Sequence, residues 1–175
     1  MEGDVRVITC RYAGGERIGR VQDDGVVLPA SGPASVLDLI DAGPGAWRAF
    51  ARAPGASVPL SDVMLRAPIP RPRKNVMCLG WNYADHVHES ASTRQQPTQP
   101  PEHPIVFTKN VTSIAGPHDD IPAHTGVTTQ LDWEVELGVI IGIGGRDIAR
   151  ADALTHVFGY TVINDVSARD LQLRH

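Results

Sequence analysis

Only two cysteines occur in 175 residues, Cys10 and Cys78, so a disulfide-stapled framework is excluded. They lie far apart and form no Cys-x-x-Cys pair, which fits a reducing compartment and sets the expectation of a cytoplasmic protein. Long hydrophobic runs are missing too. The longest uncharged apolar stretch covers residues 137–145, far short of the roughly 20 residues that cross a bilayer as a helix. The opening Met-Glu-Gly-Asp-Val-Arg lacks the basic and apolar regions of a secretory signal, so none is expected. Lys and Arg number 16 against 20 Asp and Glu, for a net charge of −4, and are scattered. No basic stripe marks a nucleic-acid partner. What is present is an ordinary globular balance, 42% hydrophobic and 21% charged, which excludes a disordered chain.

Patterning along the chain predicts a mostly β, α+β protein. Residues 5–12, 17–21 and 26–28 read as strands separated by turns at Ala13-Gly14-Gly15-Glu16 and Asp23-Asp24-Gly25. Ser35 is placed to cap a short helix over 36–40 that ends near Gly43-Pro44, with a further helical turn over 47–52. Pro54, Pro59, Pro68, Pro70 and Pro72 make residues 53–73 an extended connector, with a domain boundary near residue 70. This divides the chain into a small β-rich region, 1–70, and a second region, 71–175. In the second, strands are expected over 75–80, 105–109, 131–141 and 158–164. Loops are expected over 90–104 and 116–125, a turn over 142–147, and a short helix over 149–156. Ser167 is placed to cap a final helical turn.

The strand over 131–141 carries the chemistry. Side chains alternate faces, so Trp133, Val135, Leu137, Val139 and Ile141 share one side while Glu134, Glu136 and Gly138 share the other. The two glutamates then stand about 7 Å apart, with Gly138 leaving room beside them. One reading makes them the solvated outer face of an amphipathic strand. The other starts from residues 138–141, which are apolar on both sides and suggest a strand covered on both faces. Paired carboxylates in such a place need a cation or a proton, and a hard divalent ion such as Mg²⁺ would satisfy them with one further oxygen ligand.

Asp165, where the strand over 158–164 runs out, is the third candidate, with a simple turn or capping role as the alternative. Arg169 and Gln172 stand three apart on one helical face, and a guanidinium fork suits a substrate carboxylate. The competing reading is a surface salt bridge of Arg169 with Asp165 or Asp170. His86 and Glu89, also three apart if Asn82 caps a helical turn, could form a carboxylate-oriented base or simply a surface pair. A zinc set from His86, His88, His103, His118 and His124 matches no helix-borne spacing. Gly142-Ile-Gly-Gly145 lacks the third glycine and the long helix of a dinucleotide loop and reads as a turn.

Three blocks, GWNYADHVHE (80–89), LDWEVELGVIIG (131–142) and GYTVINDVSARDLQ (159–172), resemble the fumarylacetoacetate hydrolase family, in the family's order. IVFTK (105–109) resembles its intervening strand. The resemblance covers residues 74–175, with a looser likeness over the first 70. It implies a mixed β-sandwich roll, a bound Mg²⁺ or Mn²⁺, a homodimer, and a small-molecule 2-oxo acid as partner, with no nucleic acid and no membrane. It makes Glu134, Glu136 and Asp165 metal ligands, and His86 and Glu89 a water-activating dyad. Arg169 and Gln172 match residues that contact the 2-oxo-carboxylate end, and Lys109 matches a strand lysine near the site. Members continue well past the position matching His175, so residues 71–175 correspond to the first part of a catalytic domain.

The implied chemistry is an enolate stabilised by Lewis acidity. Three reactions of catabolism share it: C–C hydrolysis of acylpyruvate type, isomerisation of a 2-hydroxy-dienoate such as 2-hydroxyhepta-2,4-diene-1,7-dioate, and decarboxylation of oxaloacetate type. A different class, an inactive scaffold or dimerisation module that pairs through exposed strand edges, is the alternative to an enzyme.

Overall fold

The computed structural model describes residues 5–83, 101–172 and 174. The chain forms two compact units, residues 1–69 with 115–175, and residues 70–114. Strand accounts for 37% of residues and helix for 20%, so the fold is mostly β as expected.

In the larger unit, β1 (Arg6–Tyr12), β2 (Gly15–Gln22) and β3 (Gly25–Pro29) form successive antiparallel hairpins. Ala13 and Gly14 both adopt positive φ (48° and 80°), the two-residue turn whose twist matches that of the flanking strands. Ser35 caps α1 (Val36–Asp41), its hydroxyl accepting from the Asp38 amide at 3.1 Å. Gly43-Pro44 does more than end this helix. Proline has no amide to leave unsatisfied in a first turn, so it opens a full second helix, α2 (Gly43–Arg52), where only a turn is expected.

The proline-rich connector is likewise more ordered than its composition suggests. It contains β4 (Gly55–Pro59) and β5 (Met64–Leu65), which close the sheet as its two edges in the order β4-β3-β2-β1-β5. Edge strands tolerate proline because one row of their amides needs no ladder partner. The segment after β5 is tied to β1, with the Arg66 amide on the Thr9 carbonyl at 2.9 Å and the Thr9 hydroxyl on the Pro68 carbonyl at 2.7 Å.

Alternation divides the sheet's apolar residues into two cores. Cys10, Val26, Leu28, Val58 and Val63 pack on one face. On the other, Ile18 meets Val36, Leu39 and Phe50 from the helices, with Trp47 and Phe158 against them. Burial pushes the Cys10 thiol's pKa upward, the mark of a packing residue rather than a reactive one.

The other strands of this unit are β8 (Leu131–Asp132), β9 (Val135–Ile141), β10 (Val157–Asn164) and β11 (Ser167–Ala168), which form two antiparallel two-stranded sheets, β9 with β10 and β8 with β11, in one register. In the smaller unit, β6 (Val76–Gly80) pairs antiparallel with β7 (Ile105–Lys109). Residues 149–156 give only a 3-10 turn at Ala153–His156.

Trp47 joins the helices to the ladder. Its indole N–H donates to the Leu39 carbonyl at 2.8 Å, and its ring meets Phe158 edge-on with centroids 5.0 Å apart. Residues 1–69 therefore share a core with β10. The turn after β9 depends on this junction, because a Cβ on Gly142 would lie 2.5 Å from Trp47 Cη2 and 2.9 Å from Phe158 Cβ. Gly142→Ala is expected to destabilise the protein by about 1–3 kcal/mol through overpacking. The measurement is the urea midpoint, which should fall with an unchanged slope.

Candidate functional site

The expected strand over 131–141 is interrupted. Its two parts, β8 and β9, pair with β11 and β10 in the same register, so the break at Trp133-Glu134 faces a matching break at Asp165-Val166. Polar groups bridge the gap. The Asp165 amide donates to the Glu134 carbonyl at 2.8 Å, and the Glu134 amide donates to the Asn164 side-chain oxygen at 3.2 Å. Beyond β11 the Arg169 amide reaches the Gln130 carbonyl at 2.9 Å, continuing the same register.

That register places Glu134 opposite Asp165, Glu136 opposite Ile163, and Asp132 opposite Ser167, all on one face. The two sides of the ladder have the reverse of an ordinary amphipathic strand's exposure. The apolar row is open to solvent: Trp133 is 69% exposed, Val162 77%, and Val135, Leu137, Tyr160 and Ile141 are exposed as well. The carboxylate row is the less exposed one, with Asp165 only 7% exposed, Glu136 half-buried and Gly138 buried, although Asp132 and Ile163 at its margins meet solvent. The expectation of cover on both faces over 138–141 is therefore corrected, because Val139 and Ile141 remain exposed. So is the reading of Glu134 and Glu136 as a solvated outer face. The space above Gly138 is filled by Ile163 and Thr161, whose methyl groups lie 2.7 and 2.8 Å from where its Cβ would be.

Arg169 opens the short helix α3 (Arg169–Gln172) and lies over the carboxylate row. Its Nε donates to Asp132 Oδ2 at 2.9 Å, and its Nη1 to Glu134 Oε1 at 2.6 Å and Gln172 Oε1 at 3.0 Å. Arg169 and Glu134 side chains are 16% and 20% exposed, so this is a charge-assisted cluster largely shielded from water. Burial works against the charge of Arg169, but the Asp132 hydrogen bond and the nearby Glu134 charge outweigh it and raise the guanidinium's pKa.

The salt bridge considered with Asp165 or Asp170 is thus formed with Asp132 and Glu134 instead. Asp170 turns away and accepts from the buried Thr128 hydroxyl, a hydrogen bond that lowers its pKa. Ser167 is not a helix cap; it sits in β11 opposite Asp132. Asp132 had no place in the sequence reading. Extending the Glu134–Glu136 alternation two residues toward the N-terminus would have found it.

Glu134, Glu136 and Asp165 share a face, yet no group of three or more His, Cys, Asp or Glu side chains among the described residues is gathered to hold a metal ion. As placed here the carboxylates do not fit a metal: one of them, Glu134, already binds a guanidinium. Lys109 ends β7 in the smaller unit, and His86 and Glu89 lie outside the described residues. No described helix is long and apolar enough to cross a membrane.

The fumarylacetoacetate hydrolase C-terminal domain matches residues 75–175. An oxaloacetate tautomerase of Bacillus subtilis is 52% identical over 116 residues, covering 66% of this chain and 37% of the relative. A human mitochondrial oxaloacetate tautomerase is 40% identical over 145 residues, covering 81% and 44%. The chain thus spans less than half the length of these relatives. Among solved structures, a fumarylacetoacetate hydrolase from Exiguobacterium antarcticum superposes with a TM-score of 0.74 at 38% identity, over 98% of this chain and 59% of that one. A 2-hydroxyhepta-2,4-diene-1,7-dioate isomerase from Mycobacterium marinum gives 0.69 at 27%, over 98% and 57%. Enzymes of this group generally depend on a divalent metal. With the family's C-terminal domain matching residues 75–175 and a relative 40% identical over 81% of the chain, the chain belongs to the fumarylacetoacetate hydrolase family.

Proposed function

We propose that the protein interconverts the keto and enol forms of a small 2-oxo diacid such as oxaloacetate, with residues 71–175 as the first part of the catalytic domain. The observation that carries this reading is the Arg169 guanidinium, held by Asp132, Glu134 and Gln172 in a place mostly shielded from water. A planar fork of donors is suited to a carboxylate, and poor hydration strengthens the pairing. Two oxaloacetate tautomerases among the relatives support this reaction over hydrolysis.

Keto–enol exchange moves one proton between the carbon beside the carbonyl and the carbonyl oxygen. Arg169, with Gln172 alongside, would fix the carboxylate next to that carbonyl, so that proton removal occurs at one defined carbon. His86 and Glu89 are the proposed proton-transfer pair, and Lys109 a further substrate contact. The family resemblance offers Mg²⁺ or Mn²⁺ as cofactor and Glu134, Glu136 and Asp165 as its ligands, an assignment that Mg²⁺ titration of Glu136→Gln tests.

The test follows the decay of enol absorbance of oxaloacetate in the presence of Mg²⁺, alongside acylpyruvate and 2-hydroxy-dienoate substrates. Faster decay than in buffer, without release of carbon dioxide, is the expected result. Cleavage of the acylpyruvate with no effect on oxaloacetate would replace this reading with C–C hydrolysis.

A further inference from the structure

The helix that carries Arg169 and Gln172 cannot hold its own direction. α3 is four residues long, and a single turn fixes several backbone angles for one hydrogen bond, so it persists only where tertiary contacts hold it. One such contact is made by Asp170, which stands about 100° round the helix from Arg169. Its partner Thr128 is only 4% exposed, and the Thr128 hydroxyl works in both senses. It donates to Asp170 Oδ1 and accepts from the Gln130 amide at 3.1 Å. The Gln130 carbonyl in turn accepts from the Arg169 amide at 2.9 Å. These bonds close a ring through Thr128, Gln130, Arg169 and Asp170, so the first two residues of α3 are bound to one short segment. That segment is set by its own turn, in which the His124 carbonyl accepts from the Val127 and Thr128 amides at 2.8 and 3.1 Å.

We propose that Thr128 is a positioning residue for the substrate carboxylate: its hydroxyl, through Asp170, sets the direction of α3 and with it the approach of Arg169 and Gln172. Asp132 and Glu134 hold the tip of the guanidinium, whereas Thr128 holds the base from which that side chain springs. A planar fork makes two parallel hydrogen bonds only when it meets a carboxylate in one plane, so a tilt of the helix loses contact even if the tip stays nearby. A displacement of about 1 Å, caused by a residue outside the chemistry, can cost on the order of 100-fold in rate. Valine at position 128 would keep the shape of the side chain, strand the Gln130 amide and release Asp170. Serine would keep both bonds.

The inference rests on Arg169 as the carboxylate contact of the proposed function, and the experiment separates the two. Without substrate, side-chain NMR of the intact protein follows exchange of the Arg169 Nε–H, which is bonded to Asp132, alongside the backbone amides of β9 and β10. T128V should speed Nε–H exchange about tenfold, while the β9 and β10 amides and all signals of T128S match the wild type. In the oxaloacetate assay, T128V should lower kcat/KM about tenfold and T128S should restore it. D170A, at a half-exposed position, should reproduce T128V, and the double variant should be no worse than either alone, the sign of one shared contact. Thermal melts establish that each variant is folded, and D170A carries the test if T128V is not. If the wild type leaves oxaloacetate unchanged, or R169Q matches its turnover, the carboxylate contact fails and the proposal falls with it. If R169Q is impaired while T128V keeps wild-type exchange and kcat/KM, the contact stands and the positioning role alone is overturned. Equal loss of protection in β9 and β10, or additive effects of T128V and D170A, would make Thr128 a packing residue and overturn that role as well.

Discussion

Glu136→Gln is expected to weaken Mg²⁺ binding by at least about 100-fold, since even outer partners of metal ligands cost 10–100-fold when lost. The substitution keeps the shape of the side chain and removes only its charge. Glu136 stands half-buried, one pleat from Glu134 and across from Ile163, and glutamine matches its size. Thermal melts establish that the variant is folded. Leu137→Gln is the internal control. It alters the adjacent residue but lies on the exposed face, where the residue is already 58% exposed. Titration calorimetry should find Mg²⁺ affinity unchanged in Leu137→Gln and greatly reduced in Glu136→Gln. Equal behaviour of the two variants would remove Glu136 from the ligand set.

Trp47→Ala should have the largest effect on stability, about 3 kcal/mol, at the lower end for a tryptophan because the residue is only partly buried. The ring fills space that three elements share. It bonds to the end of α1 at the Leu39 carbonyl, meets Phe158 of β10 edge-on, and closes against the Gly142 turn. Its loss also forfeits the edge-on aromatic pair, worth about 0.5–1.5 kcal/mol beyond buried area. Urea denaturation followed by far-ultraviolet circular dichroism measures the loss. If residues 1–70 were an independent appendage, their melting would separate from that of β9 and β10. The shared core instead predicts one transition, in which Trp47→Ala lowers the midpoint for the whole unit.

Much of this arrangement is legible in the residues themselves. The Ser35 cap, the turns at Ala13-Gly14 and Asp23, and the strands at 76–80 and 105–109 follow from short-range chemistry that acts within a few residues. The face shared by Glu134 and Glu136 follows from alternation alone. Three features depend on long-range packing and are not legible in this way. Proline content marks residues 53–73 as extended, but only the sheet edges make β4 and β5 of them. The polar side of β9 looks like the solvent side until the partner strand and Arg169 are in place, because polarity alone does not distinguish a wetted face from a charge-paired interior. The pairing of Arg169 with Asp132, 37 residues away, depends on the register between strands, which no local pattern encodes.

That register carries a consequence for how this protein can vary. Everything from Gln130 to Ile140 on one side, and Gly159 to Arg169 on the other, is held in one frame. Which residues face the site is therefore a matter of odd and even positions. Inserting or deleting one residue at the 133–134 break would exchange the two rows on one side of it, carrying Asp132 to the open face and leaving the guanidinium over Leu131. Length changes should be tolerated only outside the frame, as in the connection over 144–155, between the hydrogen-bonded ends at Gly142, Ile143 and His156. Substitutions grade the site, but a one-residue frameshift of the strand would erase it while preserving nearly every amino acid.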